Sequence, residues 1–101
     1  MRIELLYFED CPHYLPTLDR LREALRGADI NVDVIEVEVT SAAAAERLRF
    51  IGSPTIRING MDIEAGARSE QRVGLACRRY PGDLPSEEII RAALREACRS
   101  K

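Results

Sequence analysis

The first part of the chain shows two hydrophobic patterns in succession. Positions 3 to 8 carry an almost continuous apolar run, which is typical of a strand covered on both faces of a sheet. Leucines then recur at positions 15, 18, 21 and 25 with charged residues between them, and Gly27 supplies a stop signal. These patterns predict a buried strand and then an amphipathic helix of about fourteen residues, with Pro12 at its first position.

The next segment predicts a second strand and a short helix. Residues 30–39 alternate between apolar and polar with period two, but the phase slips at Val34-Ile35. That slip indicates either a bulge or a strand that ends early. Thr40 or Ser41 can then cap a short helix over residues 42–48, which Gly52 would close.

Residues 55–64 carry the strongest hairpin signal in the chain. Two apolar-polar runs, at 55–58 and 61–64, flank the dipeptide Asn59-Gly60. A tight type I′ turn needs positive φ at both central residues, which asparagine and glycine tolerate best. We therefore expect two adjacent antiparallel strands.

The last third combines a long irregular region with a terminal helix. Glycine and proline interrupt residues 65–84, and a loop of this length in a small domain is typically functional, disordered or partly helical; residues 70–76 are the helix candidate. Pro85-Ser86 then opens a helix with acidic residues in its first turn and a buried stripe that includes Ile90 and Leu94. Cys98, one turn beyond that stripe, is interpreted as a packing residue or part of a frayed helix end.

Length and charge limit the class of protein. The chain has 101 residues, enough for one hydrophobic core, so we expect a single domain over residues 1–101. The formal net charge is −2, and no long basic run favours a nucleic-acid partner. Glu4 stands where a signal peptide would need an apolar segment, and no stretch approaches membrane-spanning length. We expect a cytoplasmic protein with no membrane partner.

The cysteine count argues against a disulfide framework. Three cysteines are an odd number, and a cytoplasmic compartment keeps thiols reduced. They remain candidates for reactive, metal-binding or simply buried thiols.

Cys11 has the most informative position of the three. It follows the first apolar strand and directly precedes Pro12, which puts it at or near the N-cap of the predicted helix. Unpaired backbone N–H groups and the positive end of the helix dipole would there favour the thiolate, which is the nucleophilic form. His13 would add to this effect when protonated, whereas Glu9 and Asp10 would oppose it. The alternative is that Cys11 is a small buried hydrophobic residue.

The order of these elements resembles the thioredoxin-like fold over nearly the whole chain. The residues that carry the resemblance are Cys11-Pro12-His13 at the start of the first helix and Ser53-Pro54 just before the hairpin. The resemblance implies an α/β fold in which a central four-stranded mixed sheet, in the order βαβαββα, is flanked by three helices. It also implies that Cys11 stands where the family has the first cysteine of Cys-x-x-Cys, with Pro54 as a cis-proline beside it.

One residue departs from the family pattern. Tyr14 stands where the dithiol enzymes carry their second cysteine, so a mixed disulfide on Cys11 could not be resolved within the motif. The later sequence Cys77-Arg78-Arg79-Tyr80 is similar to a group of small thioredoxin-like proteins, some of which carry an alkylmercury-lyase label.

The resemblance also suggests a role for Cys77. In such a sheet the hairpin ends at the edge where the first helix begins, so the long loop would be delivered to Cys11. Cys77 could then be the resolving thiol or a second soft ligand, and Arg78 or Arg79 could help to keep Cys11 ionised. The alternative is an exposed loop with a stray cysteine and a solvated basic face.

Three functions follow from these residues. The first is a thiol–disulfide oxidoreductase without a cofactor, in which Cys11 is the nucleophile and either Cys77 or an external thiol such as glutathione releases the product. Its partner would be a protein disulfide or a low-molecular-weight thiol. The second is a soft-metal or organomercurial module with two thiolates, although no set of ligands for a tetrahedral zinc site is present. The third is a non-catalytic scaffold for a protein partner. For the first, the expected catalytic residues are Cys11, Pro12, His13, Tyr14, Pro54 and Cys77, with Ser53, Thr55 and Arg78 binding substrate.

Overall fold

A computed structural model describes residues 1–99 and contains one four-stranded sheet with helices packed on both faces. The elements in chain order are β1 (Ile3–Tyr7), α1 (Tyr14–Gly27), β2 (Val34–Glu38), α2 (Ala42–Leu48), β3 (Thr55–Ile58), β4 (Met61–Asp62), a 3₁₀ helix (Ala65–Ser69) and α3 (Glu87–Arg99).

The strands form a mixed sheet in the order β2-β1-β3-β4. β1 pairs in parallel with β2 and antiparallel with β3, where Leu6 lies opposite Thr55. β4 pairs antiparallel with β3, so it runs in the same direction as β1. This arrangement confirms the predicted α/β fold and its thioredoxin-like layout. It also means that β1 and β4 end at the sheet edge where β3 begins.

The core lies on both faces of the sheet, as the apolar run in β1 predicts. Ile3 and Leu5 belong to a cluster that contains the buried faces of α1 and α3. Leu6 belongs to a second cluster with Phe50 and the alanines of α2. Each large apolar side chain buried in this way contributes about 1.5–3 kcal/mol relative to its exposed state. β1 is therefore the central element of the domain.

Helix α1 begins two residues later than predicted. Its N-cap is His13, which makes no side-chain capping bond, and its first residue is Tyr14. The reason is Pro16, which has no N–H to donate within a helix. A helix with Pro12 at its first position would put Pro16 at the fifth, where an N–H must donate to the carbonyl four residues earlier. Starting at Tyr14 keeps Pro16 in the first turn, where no such donor is required.

Strand β2 and the hairpin are shorter than their sequence patterns suggest. β2 starts at Val34 and pairs with β1 in an unbroken register, so the phase slip marks the start of the strand and no bulge is present there. Asn59 and Gly60 have φ values of 55° and 83°, which confirms the predicted turn. β4 ends at Asp62 because the Asp62 side chain accepts a hydrogen bond from the Glu64 N–H, at 2.8 Å.

Two helix starts follow the predicted capping residues. The Ser41 hydroxyl accepts from the Ala44 N–H at 3.0 Å and caps α2. The Ser86 hydroxyl accepts from the Ile89 N–H at 3.1 Å before α3. The predicted end of α2 at Gly52 is wrong, because Arg49 adopts the left-handed conformation and ends the helix there.

The helix predicted over residues 70–76 is also absent. The segment is instead irregular, and its Gly74 N–H donates to the Phe50 carbonyl at 3.0 Å. Backbone groups that bond to a neighbouring segment are not free to form a helical turn. Cys98 is exposed near the end of α3. Within residues 1–99, every helix is too short or too polar to cross a membrane.

Candidate functional site

Cys11 lies in the tight turns between β1 and α1. Its N–H donates to the Phe8 carbonyl at 3.1 Å, and its own carbonyl accepts from the Tyr14 N–H at 3.4 Å. Cys11 therefore lies near the N-cap, two residues before it, and His13 occupies the N-cap itself. The Cys11 residue is 7% exposed, yet it belongs to neither of the two apolar clusters that form the core. Cys11 is thus a nearly buried residue whose backbone bridges the end of β1 and the start of α1.

Tyr14 is held by aromatic stacking and by a hydrogen bond. Its ring stacks on Tyr7 of β1 with a centroid separation of 3.6 Å and an interplanar angle of 3°. Its hydroxyl donates to the Glu36 carboxylate of β2. This hydrogen bond, followed by burial, raises the pKa of Tyr14 above its usual range. Tyr14 therefore connects α1 to two strands of the sheet.

Ser53 contacts both cysteine-bearing segments. Its N–H donates to the Ala76 carbonyl at 2.8 Å, and its carbonyl accepts from the Arg78 N–H at 2.9 Å, so Cys77 lies beside it in a parallel bridge. Its hydroxyl accepts from the Phe8 N–H at 3.3 Å, three residues before Cys11. Ser53 is fully buried, and the Ser53–Pro54 peptide bond is cis. Cys11 and Cys77 therefore lie at the same edge of the sheet.

Arg78 is fixed by a buried network of acidic groups. Its guanidinium donates to Asp62 through two hydrogen bonds, at 2.6 and 2.9 Å, and to Glu64 at 2.7 Å. A further hydrogen bond, at 3.1 Å, reaches the Thr55 hydroxyl, which itself donates to the Gly52 carbonyl. Burial alone would lower the pKa of Arg78, but the hydrogen bonds to Asp62 and the surrounding negative charge raise it above its ordinary value.

This network changes the interpretation of Arg78. Substrate binding and stabilisation of the Cys11 thiolate both require a guanidinium that is free to reach the sulfur or the solvent. The Arg78 side chain is 7% exposed, and Asp62 and Glu64 engage it. The structure therefore places Arg78 as an anchor of the loop that carries Cys77, whereas Arg79 is exposed.

Tyr80 completes the anchor. Its hydroxyl donates to the Pro54 carbonyl at 2.7 Å, and its ring lies 4.7 Å from the Arg78 guanidinium carbon. Burial raises the pKa of Tyr80 above its usual range. Asp62, Glu64 and Tyr80 are the residues that sequence reasoning left out of the site. The Cys-Arg-x-Tyr sequence was the available signal for Tyr80, whereas no local pattern pointed to Asp62 or Glu64.

The sulfur inventory is simple. All three cysteines are free thiols, with Cys11 buried and both Cys77 and Cys98 exposed. Among residues 1–99, histidine, cysteine, aspartate and glutamate side chains form no group of three that could hold a metal ion. The arrangement offers two thiols on one edge, linked by the backbone and side chain of a single buried serine.

Comparison with known proteins gives one result. No curated protein and no solved structure matches the chain. One family model, described as a domain of unknown function (DUF2703), matches residues 15–93. That span includes Ser53, Pro54, Cys77 and Arg78, and it begins four residues after Cys11. Since the match covers most of the 101 residues, the chain belongs to the DUF2703 family.

Proposed function

We propose that this chain is a thioredoxin-like thiol–disulfide oxidoreductase in which Cys11 is the nucleophile and Cys77 is the resolving thiol. The observation that carries the proposal is the position of Ser53, whose backbone pairs with the Cys77 segment and whose hydroxyl holds the Phe8 N–H beside Cys11. A single buried residue thus brings the two cysteine-bearing segments to one sheet edge. The substrate would be a protein disulfide or a small disulfide.

The reaction needs no cofactor. The Cys11 thiolate attacks one sulfur of the substrate disulfide, forms a mixed disulfide and releases the other sulfur as a thiolate, which takes a proton from water. The Cys77 thiolate then attacks the Cys11 sulfur and releases the second substrate thiol. The two electrons gained by the substrate come from the two cysteines, which end as a disulfide. An external thiol would return them to the reduced state, or would resolve Cys11 directly where Cys77 does not.

The difference in exposure between Cys11 and Cys77 suits their two proposed roles. Cys11 is shielded, so a mixed disulfide on it would be protected from random thiols, while Cys77 is exposed on a loop that is anchored on both sides of it. Gly74 and Arg78 fix the backbone around Cys77, which limits its reach to the same edge. A fixed resolving thiol reacts faster than a diffusing one because its orientation is already set.

The alternative functions use the same residues. A soft-metal or organomercurial module would bind through the Cys11 and Cys77 thiolates, since thiolates favour soft metals. A non-catalytic scaffold would leave both thiols unreactive. The three functions differ in which cysteines react and in whether the product is a disulfide, a metal complex or no product.

The experiment is peptide mapping after exposure to bis(2-hydroxyethyl) disulfide, a neutral oxidant. Trypsin separates the three cysteines into peptides 3–20, 73–78 and 96–99, because each is bounded by arginines. We expect a disulfide between peptides 3–20 and 73–78 in the wild type and in the matched control Cys98→Ser. In Cys77→Ser we expect the hydroxyethyl adduct to remain on Cys11.

Two results would overturn the proposal. If Cys11 carries no adduct in Cys77→Ser and forms no disulfide in the wild type, while Cys77 and Cys98 are modified, the scaffold function stands instead. If one equivalent of Hg²⁺ protects both Cys11 and Cys77 from alkylation but the neutral disulfide oxidises neither, the metal-binding function stands.

A further inference from the structure

A small groove lies between the two cysteine-bearing segments. Its lining comes from three parts of the chain and encloses about 240 Å³. The lining residues are Phe8, Glu9 and Asp10 before Cys11, Glu38, Val39 and Thr40 at the end of β2, and Leu75 two positions before Cys77. Neither cysteine lines the groove, but a substrate seated here would contact Asp10, which directly precedes Cys11, and Leu75, two positions before Cys77.

Three apolar side chains line part of the groove. Phe8 is half-buried and Val39 is buried, whereas Leu75 is 43% exposed. The Val39 N–H donates to the Tyr7 carbonyl at 2.7 Å, which holds the end of β2 against the end of β1. A space of this size accommodates one or two side chains, since pockets for drug-sized ligands start at about 300 Å³.

All charged side chains that line the groove are acidic. Glu9, Asp10 and Glu38 are exposed and line the groove, and no lysine or arginine lines it. Within residues 1–99, none of the ion pairs involves Glu9, Asp10 or Glu38, and all three side chains are exposed to solvent. Each unpaired carboxylate attracts a cation within about one Debye length, roughly 8–10 Å at physiological salt.

We propose that the exchange substrate is a polypeptide segment in which lysine or arginine flanks the reacting sulfur. The apolar stem of that lysine or arginine would lie on Phe8 and Leu75. Its positive charge would face Glu9, Asp10 and Glu38. Glutathione, which carries net negative charge, is disfavoured by the same three groups. This inference rests on the proposed exchange function, because the groove matters only if Cys11 reacts.

Cys98 provides an opposite environment in the same chain. It lines a cavity of about 560 Å³ whose charged lining residues are Arg91, which pairs with Glu87, Arg95 and Arg99. A thiol among arginines favours an anionic disulfide, whereas Cys11 should favour a cationic one. Opposite charge preferences at these two thiols would show that local charge decides the selectivity.

The experiment uses three probes of similar chemistry and different charge. They are cystamine, which is cationic, bis(2-hydroxyethyl) disulfide, which is neutral, and glutathione disulfide, which is anionic. Cys11 attacks a probe sulfur, the S–S bond breaks, and the second half leaves as a thiolate that takes a proton from water. Initial rates at Cys11 and at Cys98 are measured in the wild type at low salt, by mapping peptides 3–20 and 96–99, and are divided by the rates of a neutral reference thiol.

Two matched variants each remove three negative charges, one within the groove and one outside it. The groove variant is Glu9→Gln with Asp10→Asn and Glu38→Gln, and the control is Asp19→Asn with Asp33→Asn and Glu88→Gln, all exposed and outside the groove. We expect the groove variant to lower the cystamine-to-neutral rate ratio by about threefold to tenfold and the control to change it little. At about 1 M salt the wild-type preference should also shrink.

Two failures are distinguishable. If Cys11 reacts with all three probes and the normalised ratio is the same in the wild type and the groove variant, the charge selectivity is wrong while the exchange function stands. If Cys11 reacts with none of them, the exchange function itself falls, and this inference falls with it.

Discussion

Arg78 donates two hydrogen bonds to Asp62, from Nη1 to Oδ2 at 2.6 Å and from Nη2 to Oδ1 at 2.9 Å, and both side chains are 7% exposed. The pair joins the loop after the 3₁₀ helix to the end of β4. Because the residue before Arg78 is Cys77, this contact fixes the exposed thiol as well as the loop. The position of the proposed resolving cysteine thus depends on a buried ion pair.

Breaking this pair should destabilise the protein strongly. In Arg78→Met the Asp62 carboxylate stays buried without its partner, which typically costs about 3–5 kcal/mol. Arg79→Met is the matched control, because Arg79 is exposed and a surface change of this kind costs within about 0.5 kcal/mol. Urea unfolding of both variants measures the difference.

A double variant separates the ion pair from general packing. Arg78→Met combined with Asp62→Leu removes both charges, so the double variant should cost less than the sum of the single changes by about 0.5–3 kcal/mol. Strict additivity would show that Asp62 and Arg78 do not stabilise each other. The same variants should also yield less Cys11–Cys77 disulfide, because the loop loses its anchor.

The sequence was sufficient for most of the fold but not for the site. Periodicity predicted the strands and helices because each has one face or both faces against the core, and the Asn59-Gly60 turn is set by its own backbone preferences. The predicted start of α1 is wrong because both prolines favour the first turn of a helix. Pro16 has no N–H to donate, so the helix begins late enough to keep it in that turn. No local pattern could show that Asp62 points at Arg78, since 16 residues separate them and the loop path decides the contact.

Residues 70–76 also show a local structure that the sequence pattern could not predict. Local propensity allowed a helix there, but hydrogen bonds to Phe50 and Ser53 hold the segment against the sheet. These partners are distant in sequence, so tertiary contacts override the local preference. The pairing of Ser53 with Cys77, on which the proposed function depends, belongs to this class of contact.

Gly52 should tolerate no side chain because the Cys77 loop passes directly over it. Its φ is +141°, and a Cβ added there would lie 2.9 Å from the Arg78 Cβ and 3.2 Å from the Ala76 carbonyl oxygen. We expect Gly52→Ala to cost more than about 2 kcal/mol through backbone strain and displacement of the loop. Thermal or urea unfolding provides the measurement.

Gly66→Ala is the control for that change. A Cβ at Gly66 meets no atom within 4 Å, so its effect should stay within about 0.5 kcal/mol. Equal stabilities for the two variants would mean that the loop does not press on Gly52. Gly52→Ala should also reduce the yield of the Cys11–Cys77 disulfide, whereas Gly66→Ala should not.

Thr17 carries a buried hydroxyl that can be removed with a gain in stability. It is fully buried in α1, and its Oγ1 has no hydrogen-bond partner among residues 1–99. Because an unsatisfied buried hydroxyl costs about 1–3 kcal/mol, Thr17→Val should raise the free energy of unfolding by about 1 kcal/mol. Thr55→Val is the opposite case, since its hydroxyl donates to Gly52 and accepts from Arg78, and it should destabilise. A loss of stability in both variants would contradict this account of Thr17.

Tyr80 should make the protein less stable at alkaline pH. Burial raises the pKa of its hydroxyl, the Arg78 charge opposes this, and the Asp62 and Glu64 carboxylates add to it. In the unfolded chain a tyrosine ionises near about pH 10. Below that pH the tyrosine is protonated in both the folded and the unfolded protein, and its full contribution to the free energy of unfolding is present. Above it the unfolded state loses the proton first, so the free energy of unfolding falls as the pH rises toward the folded pKa.

The Tyr80→Phe variant tests this pH dependence directly. Loss of the hydrogen bond to the Pro54 carbonyl should cost about 1 kcal/mol at every pH, whereas loss of the titrating group should flatten the curve above pH 10. The difference in slope should approach about 1.4 kcal/mol per pH unit, the value for one proton. Urea unfolding between pH 9 and about 11.5 gives both quantities, with the range chosen to span the unfolded pKa. Parallel curves for the wild type and Tyr80→Phe would show that the hydroxyl is not shielded by the anchor formed with Arg78.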